Sequence, residues 1–228
     1  MFKRLFYILK QRLYVFNRKN KNSDGKVYMF HEIADKDDTY AISEKGFKQF
    51  IEYLNNKHKI TNVEDFVANP DSNNIIITFD DAYSSVYEYA YPLLKELDIP
   101  YYVFICQEYL DKDDYLTRDM IKTMISDSKC VIGSHSTKHE LSRFLDRNEM
   151  KERLNQSKKV LEELTGNNIN SFAFPYGSMY AVSDDNIKDA SDIYDYVFMT
   201  YALSYDRNYD KVLPRININE SNYKKEMK

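Results

Sequence analysis

At 228 residues the chain is long enough for one large α/β domain or two small ones, and no stretch approaches the roughly 20 apolar residues of a transmembrane helix. A net charge of −4, with its basic residues scattered, gives no electrostatic footprint for nucleic acid. Five glycines, five prolines, 21 tyrosines and no tryptophan exclude fibrous and disordered classes and leave a globular chain, which we read as one domain.

Met1 to Phe16 mixes Lys3, Arg4, Lys10 and Arg12 with large apolar side chains, and no small-residue cleavage site follows, so a signal peptide is not expected. Two readings fit this segment: a basic amphipathic stretch on an anionic membrane surface, or a helix packed on the domain, which is favoured. Residues 17–26 are polar throughout and read as a linker. The expected organisation is an N-terminal segment and linker over 1–26, a domain over 27–220 and a polar tail over 221–228. Cys106 and Cys130 each lie in or beside an apolar run, which suits buried thiols in a reducing cytosol better than a disulfide.

From Val27 onward, short apolar runs alternate with helical patterns, the signature of βα units and a parallel sheet. Val27 to Phe30 is the first strand and stops at His31. Ser43 caps a helix carrying Phe47, Phe50, Ile51 and Leu54 on one face. Asn62 to Ala68 reads as a short helix. Ile75 to Phe79 is the pivotal strand: an apolar run, of the kind buried on both faces, that ends abruptly in Asp80 and Asp81. The tyrosine-rich segment to Leu97 reads as helix, Tyr101 to Ile105 as strand, Thr117 to Ser126 as helix, and Cys130 to Gly133 as a strand ending at Ser134-His135. Residues 148–165 form a long helix with Met150, Leu154, Leu161 and Leu164 inward, closed by Gly166. Ser171 to Phe174, Tyr196 to Thr200 and Val212 to Ile218 complete about seven strands, so the expected architecture is a distorted (β/α) barrel.

In parallel α/β folds, chemistry collects at the C-terminal ends of strands. Here His31 follows the first strand, Asp80-Asp81 the second, His135 with His139 the fourth and Pro175-Tyr176-Gly177 the fifth, while His58 lies elsewhere in a polar turn. Two histidines four residues apart, with a carboxylate from another strand, make the three protein ligands of an open metal site. Each feature alone has a plainer reading: Asp-Asp as a helix cap, His-x-x-x-His as a solvated pair, His31 as a buried histidine bonded to backbone, Pro-Tyr-Gly as a turn. Their joint placement at strand ends is what a barrel would gather at one mouth.

At these residues the chain resembles the polysaccharide deacetylase family, carbohydrate esterase family 4, known by its NodB-homology domain, over about Val27 to Ile218. Thr78-Phe79-Asp80-Asp81 looks like its first motif, which implies Asp80 as general base and Asp81 as metal ligand. Gly133-Ser134-His135-Ser136-Thr137-Lys138-His139 looks like its second, which implies His135 and His139 as the other ligands. Phe174-Pro175-Tyr176-Gly177 resembles its third, whose turn walls the substrate groove and offers the Tyr176 N–H to an oxyanion. Two departures stand out. No histidine follows His139 to supply the family's C-terminal Leu-x-His motif, but Met29-Phe30-His31-Glu32 resembles the poly-N-acetylglucosamine deacetylase branch, which carries that histidine on its N-terminal strand, and implies His31 as general acid. The third motif's arginine is replaced by Ala173, and Arg215 in Leu213-Pro214-Arg215-Ile216 is the candidate to supply that charge, or else forms a structural ion pair.

The resemblance implies a divalent ion, Zn²⁺ first, with Co²⁺, Ni²⁺ or Mn²⁺ as alternatives. It also implies hydrolysis of the acetamide of an N-acetylated glycan, or of a glycolipid or nucleotide-sugar precursor. Tyr83, Tyr176 and Tyr180 are candidates to stack on sugar rings. The expected location is the cytoplasm, with the inner face of the membrane as the alternative if the N-terminal segment takes the membrane-surface reading. Two other functions remain open at this stage: a catalytically silent glycan- or partner-binding descendant, and a metallohydrolase of another amide or ester.

Overall fold

The computed structural model describes residues 25–36, 38–69, 73–200 and 212–228, so the expectation for the first 24 residues falls outside the described part. Seven parallel strands close into a barrel: β1 (Lys26–Phe30), β5 (Asn74–Phe79), β6 (Tyr101–Ile105), β7 (Cys130–Ser134), β8 (Ser171–Ala173), β9 (Tyr196–Thr200) and β10 (Val212–Asn217). β1 closes the ring, pairing Tyr28 with Ile216 on one edge and Lys26 to Phe30 with Ile75 to Phe79 on the other. Three two-residue strands escape the apolar-run criterion: β2 (Glu32–Ile33), β3 (Ala41–Ile42) and β4 (Lys59–Ile60). β2 and β3 pair with each other, and β4 pairs with Asn74 and Ile75, on the β5 edge that β6 meets only from Thr78 onward.

Because strand side chains alternate, each barrel strand has an inward and an outward set. The outward set, with Tyr28, Phe30, Ile75, Ile77, Phe79, Val103 and Ile105, packs under the helices in the larger core cluster. The inward set fills the barrel in layers. Val27, Ile76, Tyr102 and Leu213 lie low, capped by Val63 and Phe66 of α2 (Val63–Ala68), and Phe104, Ala173 and Phe198 lie above them. Gly133 is required in this layer, because a Cβ there would sit 2.4 Å from the Phe104 ring. The same alternation aims the next inward positions, His31, Asp80 and His135, at the C-terminal mouth.

The helices follow their sequence signals. α1 (Glu44–Lys57) starts at Ser43, whose hydroxyl accepts the Gly46 N–H, and buries Phe47, Phe50, Ile51 and Leu54. α4 (Arg118–Asp127) is capped by Thr117. α5 (Arg147–Thr165) is capped by Asp146 and closed by Gly166 in the left-handed conformation; it buries Met150, Leu154, Ser157 and Leu161, while Leu164, expected inward, is half-buried in the last turn. α6 (Asp184–Ile193) carries a capping box from Ser183. The segment after Asp81 is helical but not uniformly α: Val86 to Ala90 form a π-turn ahead of α3 (Tyr91–Glu96). Pro92 cannot donate to the carbonyl four residues back and its ring crowds that oxygen, so the chain widens and Tyr91 donates to Val86 instead.

Residues 221–228, read as a polar tail, include α7 (Tyr223–Glu226). Its Tyr223 is buried against Phe50, and its Glu226 takes hydrogen bonds from Lys26 and Tyr28. Among the described residues no helix is long and apolar enough to cross a membrane.

Candidate active site

Asp80 and Asp81 are neighbours in sequence but serve different directions. The Asp80 N–H still donates to the Phe30 carbonyl at 2.9 Å, as an extension of the β1–β5 ladder, which keeps the Asp80 side chain aimed down the barrel axis. At Asp81 the backbone turns left-handed (φ 64°), as does Ala82 (φ 64°), and the second carboxylate swings out over the mouth. Two consecutive non-glycine residues in that region make a strained turn, a feature that clusters at active sites and ligand clamps.

Arg215 reaches Asp80 from β10. It is fully buried, donates to both Asp80 oxygens at 2.6 and 2.7 Å and to Thr78 Oγ1 at 3.3 Å, and lies over the Phe104 and Phe198 rings. Burial pushes the Asp80 carboxyl upward, but the Arg215 guanidinium and then His135 outweigh it and hold the group at about 2. Asp80 is therefore a carboxylate at neutral pH.

Asp81, His135 and His139 converge. Asp81 Oδ1 lies 3.5 Å from Nε2 of each histidine, and the three candidate ligand atoms all fall within 4.8 Å of one another. His135 Nδ1 is 2.8 Å from the Ala173 carbonyl; a carbonyl can only accept, so Nδ1 carries the proton and the Nε2 lone pair faces Asp81. Burial pushes His135 down to about 3 and also lowers His139, so both rings are neutral, the form that binds a cation. Burial, with Asp80 beside it, pushes Asp81 up to about 7, and its Oδ1 is buried without a hydrogen-bond partner. An orphaned carboxylate oxygen between two imidazole nitrogens is what a small divalent cation would satisfy. Ligands of a tetrahedral zinc at about 2 Å stand about 3.3 Å apart, close to the two 3.5 Å separations from Asp81, and the third pair lies within 4.8 Å, so this donor set can close on the ion.

The remaining expected residues lie around this centre. His31 is buried, with its ring edge-on to Tyr40 at 4.8 Å and its Nδ1 unpartnered; burial pushes it down to about 4, so it is neutral rather than a standing imidazolium. Pro175-Tyr176-Gly177 forms a tight turn, with the Gly177 N–H on the Pro175 carbonyl at 2.7 Å. Tyr176 is left-handed (φ 61°) and half exposed, and its ring stands edge-on to His139 at 4.4 Å. Gly177 must be glycine, since φ is 53° and a Cβ would lie 2.6 Å from Thr200 N. Tyr83 lines the cleft in a stack with Tyr115 and Tyr109, at 4.9 and 4.6 Å, whereas Tyr180 packs on Phe144 and does not line it. Cys106 and Cys130 are buried free thiols.

Together these residues line a cleft of about 380 Å³, walled by His31, Tyr40, Tyr83, Tyr109, Tyr176 and Asn217 around the acids and imidazoles. That is the size and mixture of aromatic faces with convergent polar groups expected of a small-molecule or sugar subsite. Sequence reasoning missed Tyr40, Tyr109, Glu108 and Asn217. Strand alternation carried a signal for Asn217, two residues beyond Arg215 on the inward side of β10. Nothing comparable marks Tyr40 or the turn that holds Glu108 and Tyr109, because both lie in loops without a strand-end motif.

Comparison with known proteins accords with this geometry. The family model described as polysaccharide deacetylase matches residues 68–198, more than half of the chain. A poly-beta-1,6-N-acetyl-D-glucosamine N-deacetylase of Staphylococcus aureus (strain N315) is 27% identical over 205 residues, 79% of this chain and 69% of that protein. A putative polysaccharide deacetylase, YxkH, of Bacillus subtilis (strain 168) is 23% identical over 158 residues, 66% of this chain and 56% of that protein. Among solved structures, IcaB from Ammonifex degensii has the same fold, with a TM-score of 0.80 at 20% identity over 91% of this chain and 97% of that one. The Streptococcus pyogenes deacetylase PplD has a TM-score of 0.76 at 19% identity, over 89% and 97%.

Proposed function

The chain belongs to the polysaccharide deacetylase family, and from that premise we propose that it is a metal-dependent N-deacetylase that hydrolyses the acetamide of N-acetylglucosamine units in a glycan. The observation that carries the reading is Asp81 Oδ1, buried, unpartnered and 3.5 Å from two imidazole nitrogens. The substrate class follows the activity named for the Staphylococcus aureus relatives. The tyrosine-walled cleft supports it, since aromatic faces pack well on the C–H faces of a sugar ring.

A divalent ion held by Asp81, His135 and His139, with Zn²⁺ the best match to two nitrogens and one oxygen, would supply a Lewis acid for the acetamide carbonyl and acidify the attacking water. Asp80 takes that water's proton as general base. Its low basicity is offset by the acidity lent to the water, and the two-pronged Arg215 clamp fixes which way its lone pairs point. The Tyr176 N–H, which makes no backbone hydrogen bond among the described residues, is free to donate to the oxyanion.

The leaving nitrogen needs the proton that Asp80 has collected. His31, neutral at rest and with Nδ1 unpartnered in the same cleft, acts as the relay, accepting on one ring nitrogen and donating from the other. Water is consumed, the C–N bond breaks, and acetate and a free amino sugar leave. Acetate release from N-acetylglucosamine oligomers, measured beside metal content, tests this. Asp80→Asn should lose hydrolysis while keeping the ion, and His135→Ala should lose both. Hydrolysis persisting in Asp80→Asn would remove Asp80 as the base.

A further inference from the structure

Glu108 has no place in the chemistry above, yet it holds one of the proposed ligands. It lies on the short turn Gln107–Tyr109 that follows β6. Its Oε1 accepts the backbone N–H of His139 at 2.6 Å, and the Cys106 thiol approaches the same oxygen at 3.9 Å. Two more bonds join the same segments: the N–H groups of Gln107 and Glu108 donate to the Ser136 and Thr137 carbonyls at 3.1 and 3.0 Å.

The two histidines are thus placed by different means. His135 directly follows β7, its N–H donates to the Ile105 carbonyl, and its ring is set by the Ala173 carbonyl. His139 lies four residues further on, beyond a left-handed Ser136 (φ 71°), where no sheet ladder fixes the chain. Its ring is set by packing, edge-on to Tyr176 and stacked at 6.2 Å on Tyr109, itself a member of the Glu108 turn.

We propose that Glu108 is the positioning residue for His139, a carboxylate that anchors the loop by its backbone so that the imidazole meets Asp81 and His135 at ligand distance. The inference rests on the reading of Asp81, His135 and His139 as a metal site. It concerns placement, not charge, because a neutral acceptor of the same length would do the same work. Groups that orient metal ligands from behind typically matter about 10- to 100-fold in affinity.

The test is Zn²⁺ affinity of the full chain by chelator competition, with hydrogen exchange of the His139 amide measured alongside and circular dichroism to check the fold. Glu108→Ala should weaken Zn²⁺ about 10- to 100-fold and speed exchange at His139. Glu108→Gln, which keeps the acceptor, should restore most of the affinity and the slow exchange. Unchanged affinity in Glu108→Ala would overturn the proposal, and so would equal losses in both variants, which would assign the effect to charge. Wild-type protein that bound no Zn²⁺ would overturn the metal reading as well.

Discussion

Arg215 stands at the barrel axis with its guanidinium over two adjoining phenylalanine rings and on both oxygens of Asp80. Removing one member of a buried ion pair strands the other, which costs about 3–5 kcal/mol. Arg215→Met should therefore lower stability by about that amount, read as a shift in the urea midpoint. It should also change the chemistry. With Arg215 gone, burial is the dominant influence on Asp80 and raises its pKa, so the fraction ionised falls at a higher pH than in the parent. The acid limb of deacetylation should move toward neutral pH, whereas a purely structural Arg215 would lower the melting temperature and leave that limb in place. Of the two readings the sequence left open for Arg215, the geometry shows a pair with Asp80 itself. What the sequence could not show was that position 215, far along the chain, shares the inward face of the barrel with Thr78 and Asp80.

At the scale of elements, the barrel strands were legible because they are apolar runs, and α1, α4 and α5 because Ser43, Thr117 and Asp146 cap amphipathic patterns. The two-residue strands have no length in which alternation could register, and the π-turn follows from Pro92, whose effect on hydrogen bonding is felt a turn earlier. Ser157 was passed over because it is polar, yet it is fully buried on α5, where its hydroxyl meets Ser134 Oγ at 2.6 Å, and Ser134 Oγ in turn accepts the Ser136 N–H. The contact between α5 and α6 carries a pH prediction. Hydrogen bonds from Arg147 and then Lys151 outweigh burial and hold the Asp189 carboxyl below its ordinary range. A carboxyl depressed in the folded state contributes stability that is fully present above its unfolded pKa of about 3.9 and is lost as pH falls through the lower folded value. Asp189→Asn should therefore be less stable than the parent at pH 7, and the difference in urea midpoint should shrink as pH is lowered below about 4. A difference that stayed constant with pH would mean that the pairing is not its source.

At the scale of the whole molecule, the proposed ligands tie the end of β5 to the end of β7 across the intervening β6, so an ion bound there would be a cross-link present only in the folded barrel. That a carboxylate at the end of β5 would meet His135 and His139 was expected from strand-end placement, because a closed parallel barrel brings every strand's C-terminal end to one mouth; that it would be Asp81 rather than Asp80 was implied by the family resemblance. The support from Glu108 was not, because it depends on how two loops meet. A ligand that binds only the folded state stabilises it by RT ln(1 + [L]/Kd), about 2.7 kcal/mol at a hundredfold excess over Kd. For a chain of this size each kcal/mol moves the melting temperature by about 2–4 °C. Saturating Zn²⁺ should therefore raise the calorimetric midpoint by about 5–10 °C, chelator should reverse the rise, and Asp81→Asn should abolish it. The Asn variant is the informative control. It removes the buried carboxyl that burial and Asp80 push up to about 7, so its metal-free form should melt no lower than the metal-free parent. If Zn²⁺ raised the midpoint equally in the parent and in Asp81→Asn, the ion would be binding elsewhere on the molecule, and the three strand-end ligands would have no claim to it.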